Sequence, residues 1–241
     1  MKNNITILGV GIDNFSVRET KENILNFLEN SSGQKFVVTL NPEIVLKAHR
    51  DEKYKKILNG ADLNICDGFG LRLAGFLKGK RIKARFTGVD VADFLLLNAK
   101  KKNLRILVIA AENSLSKPDE IERAIRGKYP ELSVKSEYFS SSQDFFKDGI
   151  MKEAEIIFVN FGAPQQEKFI FENREKFPSA KILIGVGGAF DFLTGKIARA
   201  PSFLRGLGFE WLWRMIQEPK RIRRIWNAVV VFPMLVLARK K

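Results

Sequence analysis

Two carboxylates stand where an alternating α/β chain would do its chemistry. The run DLNICD (62–67) closes on Asp67 and continues as Gly68-Phe69-Gly70. A carboxylate ending a buried strand loses hydration, which raises its pKa and suits it to accept a proton from a substrate hydroxyl. The same position also suits an N-cap for the following helix, and residue type alone leaves both readings open. The second carboxylate, Asp191, follows the loop Gly185-Val186-Gly187-Gly188. Its three glycines and the helix start beyond it would let backbone amides close on a diphosphate, although glycines at a strand end equally serve tight packing. Thr39, near the end of KFVVTL and just before Asn41-Pro42-Glu43, either orients an acceptor hydroxyl or is structural.

Other chemistries find little to work with. The single histidine, His49, and the single cysteine, Cys66, make no ligand cluster, and no Asp-x-Asp triplet is present to hold a divalent ion on a diphosphate. No metal or other cofactor is expected, so neutralising phosphate charge falls to arginines. Gly9-Val10-Gly11 follows the first apolar run like a dinucleotide fingerprint, but the third glycine is replaced by Asn14. A nucleotide-cofactor oxidoreductase is the weaker alternative on that account.

The elements that position these groups are legible as apolar runs separated by helix-length patterns. ITILGVGI, KFVVTL, DLNICD, LRILVIAA, EIIFVNFG and KILIGVGG are continuous rather than alternating, as strands covered on both faces are. Alternation with helices predicts a doubly wound α/β body with a mainly parallel, Rossmann-like sheet. Ligands of such sheets bind at the carboxyl ends of the strands, where Thr39, Asp67, the segment Ala163-Pro164-Gln165-Gln166 and the glycine loop all fall. Composition shifts near 196–201, which divides the chain into a catalytic body over 1–195 and a helical appendage over 196–241.

That appendage carries most of the formal charge of +14: eleven Lys/Arg against two Glu leave it +9, and the preceding residues only +5. Its apolar block 225–238, flanked by PKRIRR and RKK, would be about 21 Å long as a helix, short of a roughly 30 Å hydrocarbon core. Asn227 and Pro233 also interrupt it. The expectation is a segment lying in the interface of an anionic membrane rather than spanning it. A nucleic-acid role is disfavoured, because that charge would need base-stacking aromatics or a recognition helix instead of an apolar block. Leu204, Leu207, Trp211 and Met215 fall on one side of a helical projection, and Phe209, Trp213 and Ile216 on another. A helix apolar all round needs cover from the body, from lipid or from a second copy, so a homo-oligomer is also expected. The start MKNNITILGVG lacks the layout of a signal peptide, which places the body in the cytoplasm, peripherally at the inner face of the membrane.

Six blocks in order, VVTLNPE (37–43), CDGFG (66–70), RFTGVD (85–90), FGAPQQEKF (161–169), GVGGAFDFLTGKIARAP (185–201) and FEWLWRMIQEPKRIRR (209–224), resemble the WecG/TagA/CpsF glycosyltransferase family. Within it they look most like the TagA branch. The resemblance implies inverting transfer of N-acetylmannosamine from a UDP-sugar donor to the 4-hydroxyl of undecaprenyl-diphosphate-linked N-acetylglucosamine, for a wall teichoic acid linkage unit; a related UDP-sugar transferase is the alternative. It implies Asp67 as general base and Thr39 and Asn41 as substrate-orienting groups. Arg85 and Gln166 would line the sugar site, and Gly185, Gly187, Gly188 and Asp191 would hold UDP. Arg214, Arg221 and Arg224 would clamp the diphosphate.

Overall fold

The computed structural model describes residues 4–30, 32–140, 149–201, 204, 206, 210–218 and 222–238. Two strands form a separate antiparallel hairpin, β1 (Asn4–Ile7) and β2 (Val10–Asp13). The main sheet takes β3 (Lys35–Leu40), β4 (Leu63–Cys66), β5 (Ile106–Ala110), β6 (Val134–Tyr138), β7 (Ile156–Asn160) and β8 (Ile182–Gly185) in the order β4-β3-β8-β7-β5-β6, with every pairing parallel. The expected doubly wound fold is therefore present, with one substitution among its strands. ITILGVGI is not a strand of the parallel sheet: Leu8 and Gly9 both adopt positive φ, 50° and 86°, and turn the run back on itself as a two-residue hairpin. VKSEY, which alternates buried and exposed positions, supplies the outermost strand instead. Gly9-Val10-Gly11 thus lies in the hairpin, away from the parallel strand ends where a dinucleotide loop would sit.

Helices cover both faces because successive strand residues point to opposite sides. Val38, Leu40, Leu107, Ile109, Ile157, Val159 and Leu183 belong to one core cluster, while Val37, Ile106, Val108, Ile156, Phe158, Ile182 and Ile184 belong to the other. The first face takes α2 (Pro42–Arg50), α3 (Glu52–Asn59), α4 (Phe69–Leu77) and α8 (Gln165–Asn173). The second takes α1 (Val17–Asn30), α5 (Gly88–Lys102) and α6 (Pro118–Lys128). Beside them lie the short α7 (Gly149–Glu153) and α9 (Phe190–Leu193).

Side chains occupy both sheet edges. Asp13 Oδ2 accepts the Asn64 N–H at 2.7 Å along β4. On β6, Arg126 donates to the Val134 carbonyl at 2.8 Å, and Glu122 accepts the Ser136 N–H at 3.1 Å. An edge whose polar groups are already engaged is a poor template for another strand.

The C-terminal segment forms α10 (Glu210–Gln217), α11 (Ile222–Trp226), a π-helical turn over Asn227–Val231 and α12 (Phe232–Ala238). The widened turn has a local cause. Pro233 has no N–H to return to the preceding turn, and the Phe232 N–H reaches back five residues to the Asn227 carbonyl. Among the described residues no helix is long and apolar enough to cross a membrane. Phe232 and Val236 are completely buried, in the same core cluster as Ile44 and Leu71 of α2 and α4. The last helix therefore shares the core of the body. Phe232→Ala should lower unfolding free energy by about 3–5 kcal/mol, the usual cost of emptying a buried phenylalanine site. Urea denaturation of the full chain reads this directly; a change below about 1 kcal/mol would mean that the helix does not contribute to that core.

Candidate active site

The sheet order brings the predicted groups to one edge. β4, β3, β8 and β7 are consecutive neighbours, so the segments after Cys66, Leu40, Gly185 and Asn160 lie side by side. Thr39 pairs in register with Ile65, and Leu40 with Cys66, which leaves Asp67 one residue past the last paired position of β4. The Asp67 N–H donates to the Leu40 carbonyl at 2.8 Å, so the carboxylate is anchored to β3 through its own backbone.

Asp67 does not cap the helix that comes after it. Gly68 holds the N-cap position of α4 without any side-chain bond. The Asp67 side chain turns instead to the start of α5, where Oδ2 accepts the Gly88 N–H at 3.2 Å. It is half-buried, less enclosed than the sequence suggests. Gly88 makes the meeting possible: a Cβ there would stand 3.2 Å from Thr39 Oγ1 and 3.7 Å from Asp67 Oδ2. The hydroxyl of Thr39 and the carboxylate of Asp67 therefore converge on one small residue at a helix start. Gly68 is under a similar constraint, since a Cβ would come within 2.4 Å of the Pro42 ring. The glycine after Asp67 and the proline after Asn41 thus pack against each other.

The remaining predicted residues divide between the site and its supports. Asn41 Oδ1 accepts the Ile44 N–H at 3.0 Å and caps α2. Arg85 Nε donates to the Asp67 carbonyl at 2.7 Å, which fixes the strand end from the far side. Gln166 is buried and joins two loops: Oε1 accepts the N–H groups of Gly162 at 3.0 Å and Gly187 at 2.9 Å, while Nε2 donates to Glu167 at 2.6 Å. Asp191 is also buried, and its Oδ1 accepts from the Ser116 hydroxyl at 2.8 Å. Gly187 has φ +49°, and Gly188 stands at the turn into α9. Gln166 and Asp191 thus hold the glycine loop on two sides.

Sequence reasoning gave no role to several residues that the structure brings into this assembly. Arg199, from the loop after α9, pairs with Asp90 in the first turn of α5, and Thr87 caps that turn by accepting the Asp90 N–H at 3.2 Å while its hydroxyl donates to the same carboxylate at 2.7 Å. Burial alone would push the Asp90 carboxyl up, but Arg199 and Thr87 outweigh it and keep the group below its ordinary value. Glu167, with no exposed surface, accepts from Tyr54 at 2.8 Å, and burial pushes its carboxyl up. Both Glu167 and Arg199 lie inside blocks that the sequence singles out, which is the one signal that marks them.

Further along the appendage, Arg224 forms an ion pair with Glu43. Arg224 Nε lies 3.0 Å from each oxygen of Glu43, and its terminal nitrogen lies 2.9 Å from Oε2. Glu43 follows Asn41 and Pro42, so the pair joins α11 to the helix that Asn41 caps. Lys47 bonds the same carboxylate at 2.9 Å and the Ala163 carbonyl at 2.7 Å. Arg221 and the Arg214 side chain fall outside the described residues.

The Gln166 brace leaves no room for a side chain at position 185. A Cβ on Gly185 would meet Gln166 atoms at 2.5, 2.6 and 2.7 Å, and the three bonds on Gln166 prevent its retreat. Gly185→Ala should therefore cost about 2–4 kcal/mol in chemical denaturation, well above an ordinary exposed glycine-to-alanine change.

Comparison with known proteins gives the arrangement its relatives. A sequence model described as the glycosyl transferase WecG/TagA/CpsF family matches residues 5–241. The chain is 30% identical, over 98% of its length and 94% of the relative's, to an N-acetylglucosaminyldiphosphoundecaprenol N-acetyl-beta-D-mannosaminyltransferase of Staphylococcus aureus (strain MRSA252). Proteins of the same name from Bacillus spizizenii and Bacillus subtilis are 34% and 33% identical, over 83% and 85% of this chain and 77% and 80% of theirs. With a family match running from the first hairpin through the tail, this chain belongs to the WecG/TagA/CpsF family of glycosyltransferases.

Proposed function

We propose that this chain transfers N-acetylmannosamine from UDP-N-acetylmannosamine to the 4-hydroxyl of N-acetylglucosamine carried on undecaprenyl diphosphate, with inversion at the anomeric carbon. The sugar and the lipid-linked acceptor are those in the names of its relatives. The observation that carries the reading is the convergence of Asp67 Oδ2 and Thr39 Oγ1 on Gly88, at the strand-end position where such sheets bind ligands. Asp67 takes the proton of the acceptor 4-hydroxyl as its oxygen attacks the anomeric carbon, and Thr39 orients that hydroxyl. The bond to UDP breaks on the opposite face, and negative charge gathers on the departing diphosphate. Arg224, with Arg214 and Arg221, supplies the opposing charge, while Asn41 and Arg85 line the acceptor side.

Gln166 and Asp191 serve this reaction as positioning residues. Gln166 spends both its amide atoms on other protein groups and Asp191 Oδ1 is engaged by Ser116, so each braces the segment around the glycine loop rather than pointing a free atom at the nucleotide. The tail lies peripherally on an anionic membrane at the cytoplasmic face. Ile222, Trp226, Met234 and Leu237 remain exposed on it beside Arg223 and Arg224, the mix of apolar and cationic groups that an anionic lipid interface accepts.

Asp67→Asn should lower kcat by roughly 10²–10⁴-fold with an unchanged fold, the usual effect of removing a general base. Transfer from UDP-N-acetylmannosamine to a lipid-diphosphate N-acetylglucosamine acceptor is the assay, run beside UDP-N-acetylglucosamine to test the sugar. Undiminished turnover in the variant would reject Asp67 as the base.

The Glu43 to Arg224 pair gives a second test. Burial pushes the Glu43 carboxyl up, but Arg224 and Lys47 reverse this and hold it below the ordinary carboxylate value. A depressed folded pKa means that the pair's contribution is complete above the unfolded glutamate value of about 4.3 and fades as pH falls through the lower folded value. Glu43→Gln should expose the tail to trypsin at neutral pH as acid exposes it in the parent. Transfer should weaken by about fivefold, the scale of a partly screened ion pair. Glu43→Arg combined with Arg224→Glu should recover much of the protection, whereas equal cleavage in all three chains would show that the pair does not dock the tail.

A further inference from the structure

We propose that α4, a helix of the catalytic body and not of the tail, is a second membrane contact that docks on an anionic phospholipid surface. The inference deepens the reading of a lipid-linked acceptor and rests on it. α4 divides sharply. Leu71, Ala74 and Gly75 face the core, while Phe69, Leu73 and Phe76 are 43%, 41% and 77% exposed. At 100° per residue, positions 69, 73 and 76 fall within one narrow outward stripe, with Arg72 at its margin. Three large apolar groups on one exposed stripe of a short helix mark a contact surface.

Charge selects the occupant. From Phe69 through Arg85 the chain carries six Lys/Arg (Arg72, Lys78, Lys80, Arg81, Lys83, Arg85) and no Asp or Glu. Arg72, Lys80 and Arg81 are exposed beside the apolar stripe, in the order that an interfacial helix presents to anionic headgroups. A second copy of the chain would bring this cationic run against itself, because a two-fold contact pairs each patch with its own kind. A bilayer with anionic headgroups meets both the apolar and the charged demand. The surface is also continuous with the tail: α12 packs beside α4, and its Met234 and Leu237 are exposed as well.

The position has a consequence for the reaction. Asp67 lies two residues before the first residue of α4. A bilayer seated on Phe69, Leu73 and Phe76 would therefore hold the proposed base at a set height above the headgroups, where a sugar on a lipid diphosphate emerges.

The test uses the full chain. Cys66 is the only cysteine; it is buried, and burial pushes its thiol up to about 12, so it resists labelling. A Phe76→Cys chain can then carry a single environment-sensitive fluorophore at a position too exposed to disturb the core. Vesicles of phosphatidylglycerol and phosphatidylcholine should shift its emission to the blue, vesicles of phosphatidylcholine alone should shift it much less, and salt should weaken the shift. Leu73→Ser with Phe76→Ser should reduce co-sedimentation with the anionic vesicles about tenfold or more, the scale of several buried methylene groups, while transfer to a water-soluble acceptor analogue stays unchanged. No shift with anionic vesicles, unaltered co-sedimentation of the double variant, or a shift that grows with protein concentration in the absence of lipid would overturn the proposal, the last in favour of a second copy. Binding to vesicles without transfer to either acceptor would reject the transferase reading and leave the membrane contact standing.

Discussion

Strand β3 is the member on which the geometry of the site depends. It is hydrogen-bonded to β4 on one side and β8 on the other, so every group near its end has a fixed neighbour on both flanks. Asp67 follows β4 and the glycine loop follows β8, and each is one strand spacing from Thr39. A one-residue slip in the ladder would turn the buried side chains toward the opposite face. Here Val37 and Val38 serve two separate cores, so either direction of slip would bury and expose the wrong residues. The strand register that places these groups is thus fixed by apolar packing on both faces.

Polar contacts then set the loops, and they do so in a low-dielectric setting where an unmet group is costly. Gln166, Glu167 and Tyr54 form a buried chain in which the phenol donates to the carboxyl and the carboxyl also accepts from the amide. Its free end, Gln166 Oε1, takes two backbone amides from different loops, one after β7 and one after β8. Just beyond the second of these loops, Asp191 Oδ1 accepts from the hydroxyl of Ser116, which is completely buried. Such bonds fix the shape of a loop in advance, which would reduce the ordering cost of any binding there.

Much of the fold is legible in the sequence, and the departures have physical causes. Five of the six apolar runs are strands of the parallel sheet because a strand covered on both faces must be apolar throughout. The sixth, ITILGVGI, has the same composition but folds over at Leu8, a residue that no turn rule selects. VKSEY gives no such signal because an edge strand has one wet flank and a mixed pattern, and α6 reaches its backbone, through Arg126 to the Val134 carbonyl and Glu122 to the Ser136 N–H. At the site, Asp67 and Thr39 are readable from their place at strand ends. The bracing roles of Gln166 and Asp191 are not, since their partners Gly187 and Ser116 lie 21 and 75 residues away in sequence. Residue type announces that a polar group must be met, and only the fold says by what.

The tail shows how a segment with exposed apolar groups can still be part of the body. An apolar helix seeking lipid would detach from a water-soluble body unless part of it were worth more inside. Here Phe232 and Val236 point into the core while Met234 and Leu237 point out, so one helix serves both demands by its period alone. The π-helical turn at Asn227–Val231 adds a residue to the preceding turn and rotates α12 about its axis, which resets the two faces after Pro233 interrupts the regular bonds. Arg224, on the near side of that turn, stays on Glu43 beside the strand ends. A surface that ordered the outward face would therefore also fix the inward one. On the proposed reading, Arg224 and the lipid anchor of the acceptor would then share a frame of reference, and holding both reactants in one frame removes much of the entropic cost of bringing them together.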